Sequence, residues 1–112
     1  MDITKRQIGT VCVFGLSGKL DVLGSKQTQE RIVPDLTKGG KIVVDMSPCD
    51  YVASSGLRVL LIIAKQSAMA ECRTVLAGVK PMVWDVIVST GFEDVLAAYP
   101  SVEEAVGALS QE

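Results

Sequence analysis

Short β-branched runs alternate with longer stretches of helical spacing along this 112-residue chain. Ile3 to Gln7 and Val11 to Leu16 read as the two strands of a hairpin turned near Gly9. Both alternate sets of the second strand are apolar, Val11 and Val13 on one side and Cys12, Phe14 and Leu16 on the other. That pattern predicts an interior strand covered on both faces. Ser17 to Asp21 reads as a loop, and a first helix is predicted over Ser25 to Leu36, with Pro34 disfavouring helix near its end. After Gly39-Gly40, Ile42-Val43-Val44 is β-branched and too short for a helix, so it predicts a central strand.

The alternation repeats in the second half. Over Ser55 to Ala70 a helix is expected to turn Leu57, Leu60, Leu61, Ala64 and Ala68 to one face, with Arg58, Lys65 and Gln66 elsewhere. Thr74 to Ala77 reads as a strand. Pro81 opens a helix that runs through Ser89 and stops at Gly91. Val95 to Ala98 is a final strand candidate. Ser101-Val102-Glu103-Glu104 is a capping box for a last short helix that packs Ala105, Val106 and Leu109 inward. The sum is an α/β domain, a mixed sheet of four or five strands flanked by about four helices.

Composition narrows the chemistry. One domain over residues 1–112, with 48% hydrophobic and 21% charged residues, is globular and needs no metal or disulfide staples. The net charge is −2 and the only basic pair is Lys5-Arg6, so direct nucleic-acid binding has no basic patch to rest on. No apolar run approaches the roughly 20 residues of a membrane span, and the first residues are strand-like rather than a secretion signal, so a cytoplasmic protein without membrane insertion is expected. There is no histidine, which removes Ser-His and Cys-His nucleophile pairs and imidazole-ligated metals together. Three cysteines without CxxC spacing support neither a disulfide framework nor a zinc site. Cys12 and Cys72 read as buried small hydrophobes and Cys49 as partly exposed, while Trp84 reads as a packing residue. No enzyme, no catalytic or metal site and no cofactor is expected.

The candidate chemistry lies in KIVVDMSPCDYVASSGLRVLL, residues 41–61. An apolar strand runs into a polar turn, then Ser54 and Ser55, then an aliphatic helix. Helix starts carry unpaired N–H groups and a partial positive charge, so a hydroxyl there is well placed to bear an added phosphate. Ser54 reads as the N-cap and Ser55 as one step inside. Gly56 fits either close approach by a partner or a tolerant first turn, Asp45 fits a strand-end cap, and Arg58 fits either a solvated charge or a partner contact. Asp21 fits a turn.

These residues resemble the core motif of the STAS domain family, the anti-sigma factor antagonists: an apolar strand ending in Asp, a short loop, then Asp-Ser-Ser-Gly-Leu. The matches are Asp45, Ser54, Ser55, Gly56 and Leu57, and the departure is Ala53, where the family most often has Asp. Leu16 to Asp21 is similar to the family's apolar-x-Gly-x-Leu-Asp segment, and Thr90 to Leu96 with Pro100 and Glu104-Ala105 is similar to its C-terminal ending. The resemblance implies the STAS fold and an anti-sigma factor that is also a serine kinase as partner protein. It makes Ser55 the expected phosphorylation site, with Ser54 second, and Asp21, Ser54, Ser55, Gly56 and Arg58 the expected partner-binding residues. Unmodified protein would bind the anti-sigma factor and free a sigma factor; phosphorylation would switch it off. The alternative is a constitutive STAS interaction module, such as a regulatory subunit of a transport system.

Overall fold

A computed structural model describes residues 1–112. Strands β1 (Asp2–Ile8) and β2 (Val11–Leu20) form the antiparallel hairpin, turned through Gly9 at φ 60°. Helix α1 (Val22–Ile32) follows and passes into a 3-10 turn over Val33–Asp35, where Pro34 denies the α-helix its next N–H. Then come β3 (Lys41–Asp45), β4 (Cys49–Val52), α2 (Ser54–Ala70), β5 (Arg73–Ala77), α3 (Pro81–Ser89), β6 (Ala98–Tyr99) and α4 (Val102–Ser110). The sheet runs β1-β2-β3-β5-β6, parallel beyond the hairpin, with β4 beside β2.

β2 is shared between two neighbours. Its first half pairs with β3, Cys12 opposite Ile42 through Gly15 opposite Asp45. Its second half pairs with β4, Gly18 opposite Cys49 and Leu20 opposite Val52, after a register shift at Gly18/Lys19. The stretch expected to be a loop, Ser17 to Asp21, is therefore mostly strand. β4 itself was hidden behind the turn residues Ser47-Pro48, because only its pairing with β2 makes it a strand. That pairing buries Cys49, correcting the expectation of a partly exposed thiol, and burial pushes the pKa of this thiol up. Cys12 is half-buried rather than buried. The last strand begins at Ala98 rather than Val95, since Val95 and Leu96 bond back to the Phe92 carbonyl in a turn.

Two cores cover the sheet's faces. On one, Phe14, Leu16, Ile42, Val44 and Leu76 meet Leu60 and Ile63 of α2, Ile32 of α1 and Ile87 of α3. On the other, Val11, Val13, Val43, Val75 and Ala77 meet Ala105 and Leu109 of α4. The doubly apolar pattern of β2 and β3 has its cause here, as every inward position has a helix above it.

Two helices depart from the periodicity reading. α2 buries Gly56, Leu57, Val59, Leu60, Ile63 and Ser67, while Leu61 and Ala64 are half-buried and Ala68 is exposed. The buried stripe is thus rotated away from the expected one, and it begins with a glycine. α1 starts at Val22 rather than Ser25, because Asp21 caps it: Asp21 Oδ1 accepts the Gly24 N–H at 2.9 Å. Its buried face is small or polar at Gly24, Ser25 and Thr28 and turns apolar only at Ile32. Thr28 buries its hydroxyl by donating to the Gly24 carbonyl at 2.8 Å. α3 and α4 start where expected, at Pro81 and behind Ser101, whose Oγ accepts the Glu104 N–H at 3.1 Å.

Candidate functional site

The site is built where β4 hands over to α2. The Ala53 N–H donates to the Leu20 carbonyl at 3.0 Å, which clamps the start of α2 against the end of β2. Residue 53, not Ser54, is the N-cap, and alanine offers no side-chain acceptor. Ser54 and Ser55 are the first two helical residues. The first helical bond runs from the Leu57 N–H to the Ala53 carbonyl, at 3.0 Å. The N–H groups of Ser54, Ser55 and Gly56 therefore lie ahead of the ladder, with no side-chain cap and with the positive end of a 17-residue helix behind them.

The two serines face different surroundings. Ser54 is exposed. Ser55 is half-buried, and its Oγ is fully buried without a hydrogen-bond partner. Gly56 is buried under Leu20: a Cβ there would come within 2.9 Å of Leu20 Cγ and 3.1 Å of Val52 Cγ1, and closer still to the Leu20 carbonyl oxygen. Internal packing accounts for this glycine without a partner. Arg58, one turn on, is exposed and takes part in no ion pair, while Asp21 is committed to capping α1. Asp45 accepts from the N–H of Ser47 at 3.0 Å and from its hydroxyl at 2.7 Å, closing the turn after β3.

Leu20 thus joins Asp21 to the Ala53–Gly56 stretch, and α1 begins beside it. The first turn of α1 leaves Val22 75% and Leu23 64% exposed, and Tyr51 at the end of β4 is 52% exposed. These apolar side chains were not among the expected site residues. Their signal in the sequence was two aliphatic residues directly after a helix-capping Asp, a place where a core face has not yet begun. No helix is long and apolar enough to cross a membrane. No cluster of three His, Cys, Asp or Glu side chains is placed to hold a metal ion.

The start of α2 thus carries an exposed Ser54 and an inward Ser55 at an uncapped helix end, with exposed apolar side chains on the neighbouring α1 start and β4. A family model described as "STAS domain" matches residues 2–105. Over 110 residues the chain is 30% identical to BtrV of Bordetella bronchiseptica, provisionally assigned as an anti-sigma factor antagonist, covering 97% of this chain and 95% of that protein. The fold is similar to that of the anti-sigma factor antagonist SpoIIAA in its unphosphorylated form, with TM-score 0.80 and 20% identity over 99% of this chain and 98% of that one. It is also similar to part of the murine anion transporter Slc26a9, with TM-score 0.81 and 16% identity over 96% of this chain and 19% of the transporter. The chain belongs to the STAS domain family, and its fold is of the anti-sigma factor antagonist type.

Proposed function

We propose that this protein is a phosphorylation-switched anti-sigma factor antagonist, with Ser55 as the modified residue and a cytosolic anti-sigma factor that is also a serine kinase as its partner. The observation that carries the reading is the start of α2. Three uncapped N–H groups precede its hydrogen-bond ladder, and the exposed Val22, Leu23 and Tyr51 belong to the neighbouring α1 start and β4. In the unmodified state the exposed Val22, Leu23 and Tyr51 and the small serines bind the partner with little polar group to desolvate. A phosphate on Ser55 adds about −1.5 to −2 charges. The helix start accommodates that charge within the domain, so the fold persists. Inside a formed interface the same charge costs several kcal/mol unless paired, and the complex separates. No hydrogen bond holds the Ser55 hydroxyl inward, so turning it out to a kinase breaks none. Arg58 and Ser54 fall on the contact surface in this reading, and Asp21 supports it through α1. The domain itself carries out no catalysis.

The second reading is a constitutive module, favoured by Ala53, which lacks the carboxylate most of the family carries, and by the likeness to a transporter's domain. The two separate on adding ATP and Mg²⁺ to the complex with the cognate anti-sigma factor. The switch requires ATP-driven release of the wild type, phosphate mapped to Ser55, and retention of Ser55→Ala. No release from either protein refutes the switch, and modification confined to Ser54 refutes the assignment to Ser55.

A further inference from the structure

A groove of about 510 Å³ opens beside the helix start, between β4 and α3. Its floor is apolar: Val52, Leu57, Val83, Val86 and Ile87. Its mouth is different. Pro81, Met82 and Val83 at the start of α3 line it, and Lys80, the N-cap of that helix, pairs with Asp50 across it at 3.1 Å. Pro81 has no N–H, and the first helical bond comes from Trp84 to the Lys80 carbonyl, so the N–H groups of Met82 and Val83 precede the ladder and have no side-chain cap. One ammonium and a positive helix end thus face one carboxylate, Asp50, which is itself well exposed. The volume falls within the range of small-molecule sites, and an apolar cleft with polar groups gathered at one end orients a ligand that is apolar at one end and anionic at the other.

We propose that this groove binds amphipathic carboxylates, the aliphatic tail on Val52, Leu57 and Val86 and the carboxylate at Lys80 and the first turn of α3, in place of Asp50. Burying the tail removes water from Val86, which is 47% exposed, and from Met82, which is 82% exposed. A tail there touches Val52 and Leu57, the residues that bracket Ala53 to Gly56. Tyr51, which the proposed partner surface also uses, lines the groove as well, so the two sites adjoin, while Lys80 and Asp50 take no part in the phosphorylation switch.

The test is an NMR titration of the full chain with decanoate below its micelle concentration, with decanol and acetate as comparisons. Decanoate is expected to give saturable shifts at the Leu57, Val83 and Val86 amides, with decanol about fivefold weaker and acetate giving none. Lys80→Met should erase the difference between decanoate and decanol, and Asp50→Asn should tighten decanoate about threefold by removing the internal competitor. Asp50 is exposed and Lys80 half-buried, and unchanged circular dichroism verifies folding of both variants. Val86→Glu, a charge in the tail's path, should abolish binding. Equal affinity for decanoate and decanol in the wild type overturns the proposal, as does saturation that survives Val86→Glu. Absence of decanoate shifts, together with loss of partner-protein capture by Val86→Glu, would make the groove a protein-docking face and equally overturn it.

Discussion

At the scale of single residues, the start of α2 is defined by two side chains that do less than they could. Ala53 occupies an N-cap without an acceptor, and Ser55 buries a hydroxyl without a partner. Ala53→Asp should stabilise the domain by about 1 kcal/mol, a rise in melting temperature of about 4 °C, because a carboxylate accepts a first-turn N–H and meets the positive helix end. Ser55→Ala should also stabilise, by about 1 kcal/mol, since an unpaired buried hydroxyl costs roughly that or more. Ser54→Ala, at an exposed position, should change the urea midpoint little. A destabilised Ser55→Ala protein would mean that the hydroxyl has a partner after all, and the free-rotation argument for phosphorylation would fall with it.

Among the elements, the helices differ in how their ends are made. α3 and α4 start by local chemistry, proline at the first position and a serine cap. α2 starts because β2 holds it, and it ends on Glu71 with φ 59° and ψ 40°, a left-handed conformation that suits glycine. Glu71 still bonds its N–H to the Ser67 and Ala68 carbonyls. Glu71→Gly should therefore keep the same helix end and gain about 1 kcal/mol by relieving the Cβ clash. Denaturant unfolding reads this directly, and a loss of stability would show that the Glu71 side chain contributes more than its backbone conformation costs. Its pair with Lys38, 3.5 Å apart and exposed on both sides, is too weak to offset that gain.

For the whole molecule, the division of helices between the sheet's faces matters most. Three helices share one face and α4 alone covers the other. Leu109, fully buried, seals that second face with Ala105. Leu109→Ala should cost about 2–5 kcal/mol in chemical denaturation, by the lost transfer energy and the cavity left behind. The α2 start lies on the opposite side, so binding of the partner by the folded fraction should persist. A variant that folds well but no longer binds would mean the two faces are coupled, contrary to the separation of the two cores.

The α/β class, the central strand, the limits of α3 and the cap of α4 were legible in the amino-acid sequence because their causes are local. The doubly apolar run of β2, the β-branched run of β3, proline at 81, glycine at 91 and the Ser101/Glu104 spacing act within a few residues of where they stand. So did the presence of paired serines near a helix start. Contacts across about 30 residues decided the rest. The pairing of β4 with β2 made a strand of Cys49–Val52, buried a thiol expected to be partly exposed and converted a loop into the end of β2. The bond from Ala53 to Leu20 moved the N-cap back by one residue, turned the Ser55 hydroxyl inward and gave Gly56 its necessity. Local signals reveal that a helix begins. Only a neighbouring strand fixes on which residue it begins, and so which serine hydroxyl faces the core and which faces water.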